Sequence, residues 1–221
     1  QMKYSQIDKE YKADAVILAA GDYPSHTIPL SILKNAGYVC CCDNSAVEYI
    51  DKGNIPDAIV GDCDSLPEEY KEKYAELLHI VTEQEYNDLT KATQYCISKG
   101  FTDIIYLGAT GKREDHTLGN ISLMVWYMHQ FGIRPIMMTD YGYFVPAKGH
   151  NLFETFKGQQ ISIYNFGSKE IKEKGLSWST YAYQWLWQGT LNEATGNEVE
   201  LDADGSYLVY RTYEAKGSSL L

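Results

Sequence analysis

Through its first two-thirds the chain alternates short apolar runs with longer amphipathic ones, and this alternation restricts the fold more than any other feature. Ala15 to Ala20, Tyr38 to Cys42, Ala58 to Val60, His79 to Val81, Asp103 to Leu107 and Pro135 to Thr139 read as strands. Between them, Ile28 to Asn35, Ser45 to Lys52, Pro67 to Leu78, Asp88 to Lys99 and Thr117 to Gln130 read as helices; Gly37, Gly53 and Gly100 stand where helices end. Strand alternating with helix predicts α/β architecture, with a parallel Rossmann-like sheet flanked by helices. Right-handed crossovers bring all the strand carboxyl ends to one edge, where open sheets of this kind bind ligands.

After about Gly142 the texture changes. Short alternating or aromatic runs replace the helical period, at Gln160 to Phe166, Leu176 to Trp178, Glu198 to Leu201 and Tyr207 to Tyr213, punctuated by Gly and Asn. This pattern predicts a smaller antiparallel β-sandwich. The expected division is residues 1–145 and 146–221, with a frayed tail from Lys216 onward.

Net charge narrows the partners. At −11 the chain has no excess of Lys and Arg with which to neutralise duplex nucleic acid, although a single nucleotide needs only a few local groups. Cys40, Cys41, Cys42, Cys63 and Cys96 are odd in number and form no CxxC pair, so they read as buried free thiols. A reducing cytoplasm is the expected location. Ala15 to Ala20 is too short to span a membrane and reads as neither anchor nor signal peptide.

The acidic residues fall where a parallel sheet would use them. Asp43 follows the second strand, Asp62 and Asp64 the third, and Asp88 opens the helix after the fourth. In extended backbone, residues two apart point to one side, so Asp62 and Asp64 can offer two carboxylates to one hard cation. Magnesium takes few carboxylates and completes its shell with water and phosphate oxygens. The same Asp64 or Ser65 equally suits the cap of the helix near Pro67. Gly108-Ala-Thr-Gly111-Lys112-Arg113 is a glycine-containing turn from strand to helix, suited to phosphate through backbone N–H groups and the Arg113 guanidinium, yet without Walker A spacing. Asp115 can cap the following helix or orient Arg113. His116 reads as structural, with Asn120 one turn beyond it on the same face. Further on, Trp178, Tyr181, Tyr183, Trp185 and Trp187 offer rings for a core, an interface or a flat cationic ligand.

These residues, taken in order, resemble the thiamine pyrophosphokinase family. The resemblance rests on Pro56-Asp57, on Gly61-Asp-Cys-Asp-Ser65, and on the block Gly108-x-x-Gly111-x-Arg113-x-Asp115-His116-x-x-x-Asn120. It continues more loosely through Gly158-x-x-Ile161-Ser162, Gly175-Leu176-x-Trp178 and the Asn197 segment.

It implies an ATP- and Mg²⁺-binding catalytic domain followed by a thiamine-binding domain, in a homodimer with substrate sites near the subunit interface. The implied reaction transfers pyrophosphate from ATP to the thiamine hydroxyl, giving thiamine diphosphate and AMP. Carried over by position, Asp62, Asp64 and Asp88 bind magnesium and assist the hydroxyl, with Arg113 as the catalytic cation. Gly108, Gly111, Arg113, Asp115 and Asn120 hold ATP, while Asp43, Trp178 and Asn197 fall on the thiamine side. The chain departs from the family at Asp43-Asn44-Ser45 (usually Asp-Gly-Gly), at Glu85-Tyr86-Asn87-Asp88 (usually DxTD) and at Gly196-Asn197 (usually Ser-Asn). The alternatives are a pyrophosphokinase of another acceptor, such as a hydroxymethylpterin, and a non-catalytic nucleotide or thiamine sensor.

Overall fold

In the computed structural model, which describes residues 1–217, the chain runs in order through β1 (Met2–Tyr4), β2 (Ala15–Leu18), α1 (Thr27–Lys34), β3 (Val39–Cys42), α2 (Ser45–Asp51), β4 (Ala58–Gly61) and α3 (Glu68–Lys73). There follow β5 (Leu78–Ile80), α4 (Asp88–Ser98), β6 (Asp103–Leu107), α5 (Glu114–Phe131) and β7 (Arg134–Met138). The remainder is β8 (Gly142–Glu154), β9 (Gln159–Phe166), β10 (Ile171–Lys174), β11 (Asn192–Glu193) and β12 (Glu198–Ala215). The fold is mixed α/β, and it divides into two compact units. One holds residues 9–123 and 132–140; the other holds residues 1–8, 124–131 and the chain from Tyr141 onward.

The first unit carries strands in the spatial order β7-β6-β2-β3-β4-β5, every adjacent pair parallel. Every residue of β2, β3 and β4 is buried, which explains why these strands read as unbroken apolar runs rather than as alternating ones. Between β2 and β5 the chain steps outward on one side. It then returns to lay β6 and β7 on the other side of β2, so the order reverses between β2 and β6. Loops leaving two neighbouring strands at such a reversal diverge and open a crevice between them.

Helix α4 begins cleanly at Asp88 because the Asn87 side chain accepts the Thr90 N–H at 3.0 Å, a side-chain N-cap. It buries Leu89, Ala92 and Cys96 against β3 and β4. The segment expected as one helix from Pro67 to Leu78 is shorter. Helix α3 stops at Lys73 and a 3-10 turn covers Ala75–Leu77. No residue of α3 is buried, so tertiary packing offers nothing for extending it.

The second unit is organised by β12, eighteen residues long. Its first part, through Asp202, pairs antiparallel with the end of β8; from Ser206 onward it pairs with the start of β8, after a register shift between Asp202 and Ser206. Strand β10 joins the first part and β9 the second, both antiparallel, while β1 adds to β8 in parallel. Phe153, Ile161, Ile171, Leu201, Tyr207 and Val209 share one core.

The mixed α/β class stands, with antiparallel strands alongside the parallel ones. Parallel pairs fill the first unit, and in the second β12 hydrogen-bonds on both sides of its register shift, so the strands there are connected as one set. The irregularity in β12 lets a single strand serve both flanks, which short runs read one by one do not reveal. The expected fraying concerns Lys216 onward, and residues 218–221 lie outside the described part of the chain.

All five cysteines are buried and free, as their apolar setting indicated. Among the described residues no helix is long and apolar enough to cross a membrane.

Candidate functional site

The reversal between β2 and β6 opens a cleft of about 500 Å³, lined among others by Asp43, Asp88, Gly108, Gly111, Arg113 and Asn120. That volume is in the range of small-molecule sites. Its floor is made of two loops sewn together by backbone. Ala19 N–H donates to Leu107 O at 2.8 Å, Gly21 N–H to Gly108 O at 2.6 Å and Asp22 N–H to Thr110 O at 2.8 Å. A Cβ on Gly21 would lie 2.2 Å from Thr110 O and 2.5 Å from Gly108 O, so only glycine permits the approach. On the facing loop, Gly111 (φ 79°) sits where a Cβ would meet the Asp22 carboxylate at 2.0 Å. Lys112, left-handed at φ 58°, reaches back to donate to Ala20 O at 2.8 Å. The sequence marks Gly21-Asp22 only as a strand end. Their part in the cleft floor follows from the pairing of β2 with β6, which no local pattern announces.

Asp43, Asp62 and Asp88 make up the acidic wall. Asp43 is buried, holds the left-handed backbone at φ 42°, and accepts the Ser65 hydroxyl at 3.2 Å. Gly61 packs closely on it: a Cβ there would touch that of Asp43 at 3.1 Å. Burial pushes the Asp43 carboxyl up to about 6, and a side-chain hydrogen bond with Asp62 adds to the rise. Asp62 is held below the ordinary value, first by the Asp64 N–H, which donates to its Oδ1 at 3.1 Å, and next by Asp43. Asp88 is raised by desolvation and by the Asp62 charge, against the pull of Lys91 and His116. Asp62 and Asp64 both lie outside the cleft lining; Asp64 is exposed, whereas Asp62 joins the wall through its hydrogen bond with Asp43.

Lys91 is a residue that sequence reasoning missed. It is buried one turn beyond Asp88 and donates to Val81 O at 3.1 Å. A lysine on an otherwise apolar helix face, three residues after an acid, was the available signal.

Among the described residues no three His, Cys, Asp or Glu side chains converge as a ready-made metal cage. The donor set is nonetheless all carboxylate, and Asp43, Asp62 and Asp88 are close enough to shift one another's titration. It fits a hard cation that takes one or two carboxylates and fills its shell with phosphate oxygens and water.

The Asp43 shift yields a prediction whose sign is fixed. A raised carboxyl means that the folded state binds the proton more tightly than the unfolded one. The favourable contribution is therefore complete below the unfolded value of about 3.9 and is lost as pH rises through about 6. Asp43→Asn suits the left-handed backbone and removes the buried charge. Thermal melts in a metal chelator are expected to show the variant more stable than wild type at pH 8 by roughly 2 kcal/mol, solvent screening reducing the ~3 kcal/mol that the full rise implies, with no gain near pH 3.5. An equal gain at both pH values contradicts the assignment.

On the opposite wall Arg113 is exposed and paired with Asp115, Nε to Oδ1 at 3.2 Å and Nη2 to Oδ2 at 2.7 Å. That bidentate pair holds Asp115 below its ordinary value and Arg113 above its own. Asp115, the second residue of α5, also accepts the His116 N–H on Oδ1 at 2.9 Å, which helps hold the carboxylate that orients Arg113. Asn120 donates to Ala109 O at 2.9 Å, tying α5 to the glycine loop.

The structure thus brings Asp43, Asp88, Gly108, Gly111, Arg113, Asp115 and Asn120 around one cleft in the first unit. Trp178 and Asn197 belong to the second unit. Trp178 is 60 % exposed, its backbone held by mutual hydrogen bonds with the Asn192 amide. Asn197 is exposed, and its carbonyl accepts the Thr155 N–H at 3.0 Å.

Comparison with known proteins agrees along most of the chain. Residues 30–136 match the family model for the thiamin pyrophosphokinase catalytic domain, and residues 142–210 match the model for its substrate-binding domain. The chain is 38% identical over 86 residues to a thiamine pyrophosphokinase of Bacillus subtilis, covering 37% of this chain and 40% of that one. It is 27% identical over 107 residues to thiamin pyrophosphokinase 1 of Caenorhabditis elegans, covering 44% of each. These alignments therefore span less than half the length of both curated relatives. The crystal structure of yeast thiamin pyrophosphokinase superposes with a TM-score of 0.79 at 16% identity, over 96% of this chain and 92% of that one, a likeness of fold.

Proposed function

The chain belongs to the thiamin pyrophosphokinase family, and from that premise we propose that it transfers pyrophosphate from ATP to the hydroxyl of thiamine, giving thiamine diphosphate and AMP. The observation that carries the reading is the cleft where strand order reverses. There an acidic wall faces a glycine-bordered loop and a guanidinium, the two kinds of group that a metal–triphosphate needs on its two sides.

In the proposed mechanism the backbone amides of Gly108 to Gly111 and the Arg113 guanidinium hold phosphate oxygens and offset the charge that builds there during transfer. Asp115 presets Arg113 in a fork that matches two oxygens. Asp43, which lines the cleft together with Asp88, is the carboxylate assigned to take the proton of the attacking hydroxyl. Asp62 and Asp88 would hold Mg²⁺, with Asp64 supporting Asp62 through its N–H. When bound, the ion neutralises phosphate charge. Gly108, Gly111 and Asn120 shape the ATP side; Trp178 and Asn197 serve thiamine, the indole offering its face to a cationic ring.

The exposed Trp178, Trp185, Leu186, Trp187 and Leu191 support a homodimer, since apolar surface of this kind is unusual on a monomer. Five free thiols support a cytoplasmic location.

Incubation with ATP, Mg²⁺ and thiamine, followed by identification of the nucleotide product, tests the reading. AMP appearing in step with thiamine diphosphate is expected. ADP as product, or ATP turnover indifferent to thiamine, refutes it, and a hydroxymethylpterin offered in place of thiamine tests the rival acceptor.

A further inference from the structure

In the segment Glu85-Tyr86-Asn87-Asp88 the structure gives the Asn87 side-chain amide two tasks. Its oxygen caps α4, accepting the Thr90 N–H at 3.0 Å and the Thr90 hydroxyl at 2.8 Å. Its nitrogen donates to Asn120 Oδ1 at 3.2 Å, and the Asn120 nitrogen in turn donates to Ala109 O at 2.9 Å. A relay of two side-chain amides therefore runs from the start of α4, beside Asp88, through α5 to the loop between Gly108 and Gly111. Both ends of the relay line the cleft.

We propose that Asn87 is a positioning residue that fixes the span between the acidic wall and the phosphate-binding loop. The proposal rests on the pyrophosphokinase reading and deepens it. A metal-bound triphosphate has to touch both walls at once, so the distance between them decides how well it binds and how closely the reacting atoms approach. Asn120 is preset by the same relay. With Oδ1 engaged by Asn87 and Nδ2 by Ala109, its amide orientation is determined, whereas an unbridged amide can turn over. The Asn87–Asn120 bond is solvent-exposed, so it adds little to stability and its effect is geometric.

Asn87→Thr and Asn87→Ser separate the two tasks. Either hydroxyl retains the N-cap, but neither reaches Asn120 as a donor in place of the amide. Calorimetric titration with Mg²⁺–ATP is expected to give dissociation constants about tenfold weaker for both variants, with kcat for AMP release also lower and melting temperature nearly unchanged. In an Asn120→Ala background the same substitutions should add almost nothing, because the relay is already broken.

ATP binding within twofold of wild type in both variants overturns the proposal. So does a loss of the same size in the Asn120→Ala background, or a weakening matched by a drop in melting temperature, which would make Asn87 only a cap. The binding measurement stands apart from turnover. If wild type makes no thiamine diphosphate, the activity reading fails while the ATP titrations still decide for or against the relay.

Discussion

Asp62→Asn is expected to lower kcat for AMP formation by about 10²–10³ at saturating ATP and thiamine, the scale of losing one preorganised electrostatic contact, and to shift the Mg²⁺ requirement to higher concentration. The substitution is mild toward the fold. Asp62 is only half-buried, and its Oδ1 accepts the Asp64 N–H at 3.1 Å, a bond that the asparagine carbonyl also makes. What disappears is the charge next to Asp43 and Asp88. Without it the hydrogen bond that helps raise Asp43 loses its ionic partner, so the acidic limb of the pH–rate profile moves to lower pH as well as falling in height. Steady-state rates from pH 5 to 9, each with a Mg²⁺ titration, measure both effects. A variant within tenfold of wild type, with an unmoved profile, removes Asp62 from the site. Asp64→Asn is the internal comparison: its carboxylate has no hydrogen bond to Asp43 as that of Asp62 has, and the structure uses its N–H, which the variant keeps. A smaller loss is expected there.

The first unit was legible because its strands are buried on both faces and local composition alone declares them. Ala15–Leu18, Val39–Cys42 and Ala58–Gly61 are wholly buried, and each lies inside or against the apolar run that the sequence shows. Helix α4 was legible from its amphipathic run and from Gly100 just past its end. The second unit was legible only in part: the run at 160–166 is β9 and the runs at 198–201 and 207–213 fall inside β12, while its other strands depend on distant partners. Strand β8 carries Pro146, Lys148, Gly149 and His150 within one strand, a mixture that reads as a linker until β12 pairs along it. Strand β1 has only three residues and pairs with a segment 149 positions away. The run at Leu176 to Trp178 turned out to hold a single bridge, Leu176 with Ala194, and the two runs at 198–201 and 207–213 belong to one strand. In the site, acids at strand ends were visible from position alone. The residues that hold the walls in place were not: Gly21, Lys112 and Lys91 act through backbone carbonyls of other segments, and a carbonyl leaves no trace in the sequence.

Gly21→Ala is expected to be the most damaging single methyl in the cleft. The new Cβ would lie 2.2 Å from Thr110 O and 2.5 Å from Gly108 O. Both are backbone atoms, so no side chain can swing aside; the loops after β2 and β6 must part. Parting them breaks the bonds from Gly21 N–H to Gly108 O and from Asp22 N–H to Thr110 O, and it lifts Gly111 away from the Asp22 carboxylate. Overpacking of this kind costs about 3 kcal/mol. In a chain of this length that corresponds to a fall in melting temperature of roughly 6–12 °C. The loss of ATP binding should exceed what instability explains, because the loop that moves is the one that presents its amides to phosphate. Calorimetry well below the melting transition separates the two effects. ATP affinity falling at least tenfold while the far-ultraviolet dichroism stays native supports a cleft floor built by backbone contact. Gly37→Ala is the control, since no heavy atom lies within 4 Å of the place its Cβ would take and both readouts should stay near wild type. If Gly21→Ala behaves like that control, the β2 and β6 loops do not approach as closely as described, and the phosphate side of the site has to be sought elsewhere on the sheet edge.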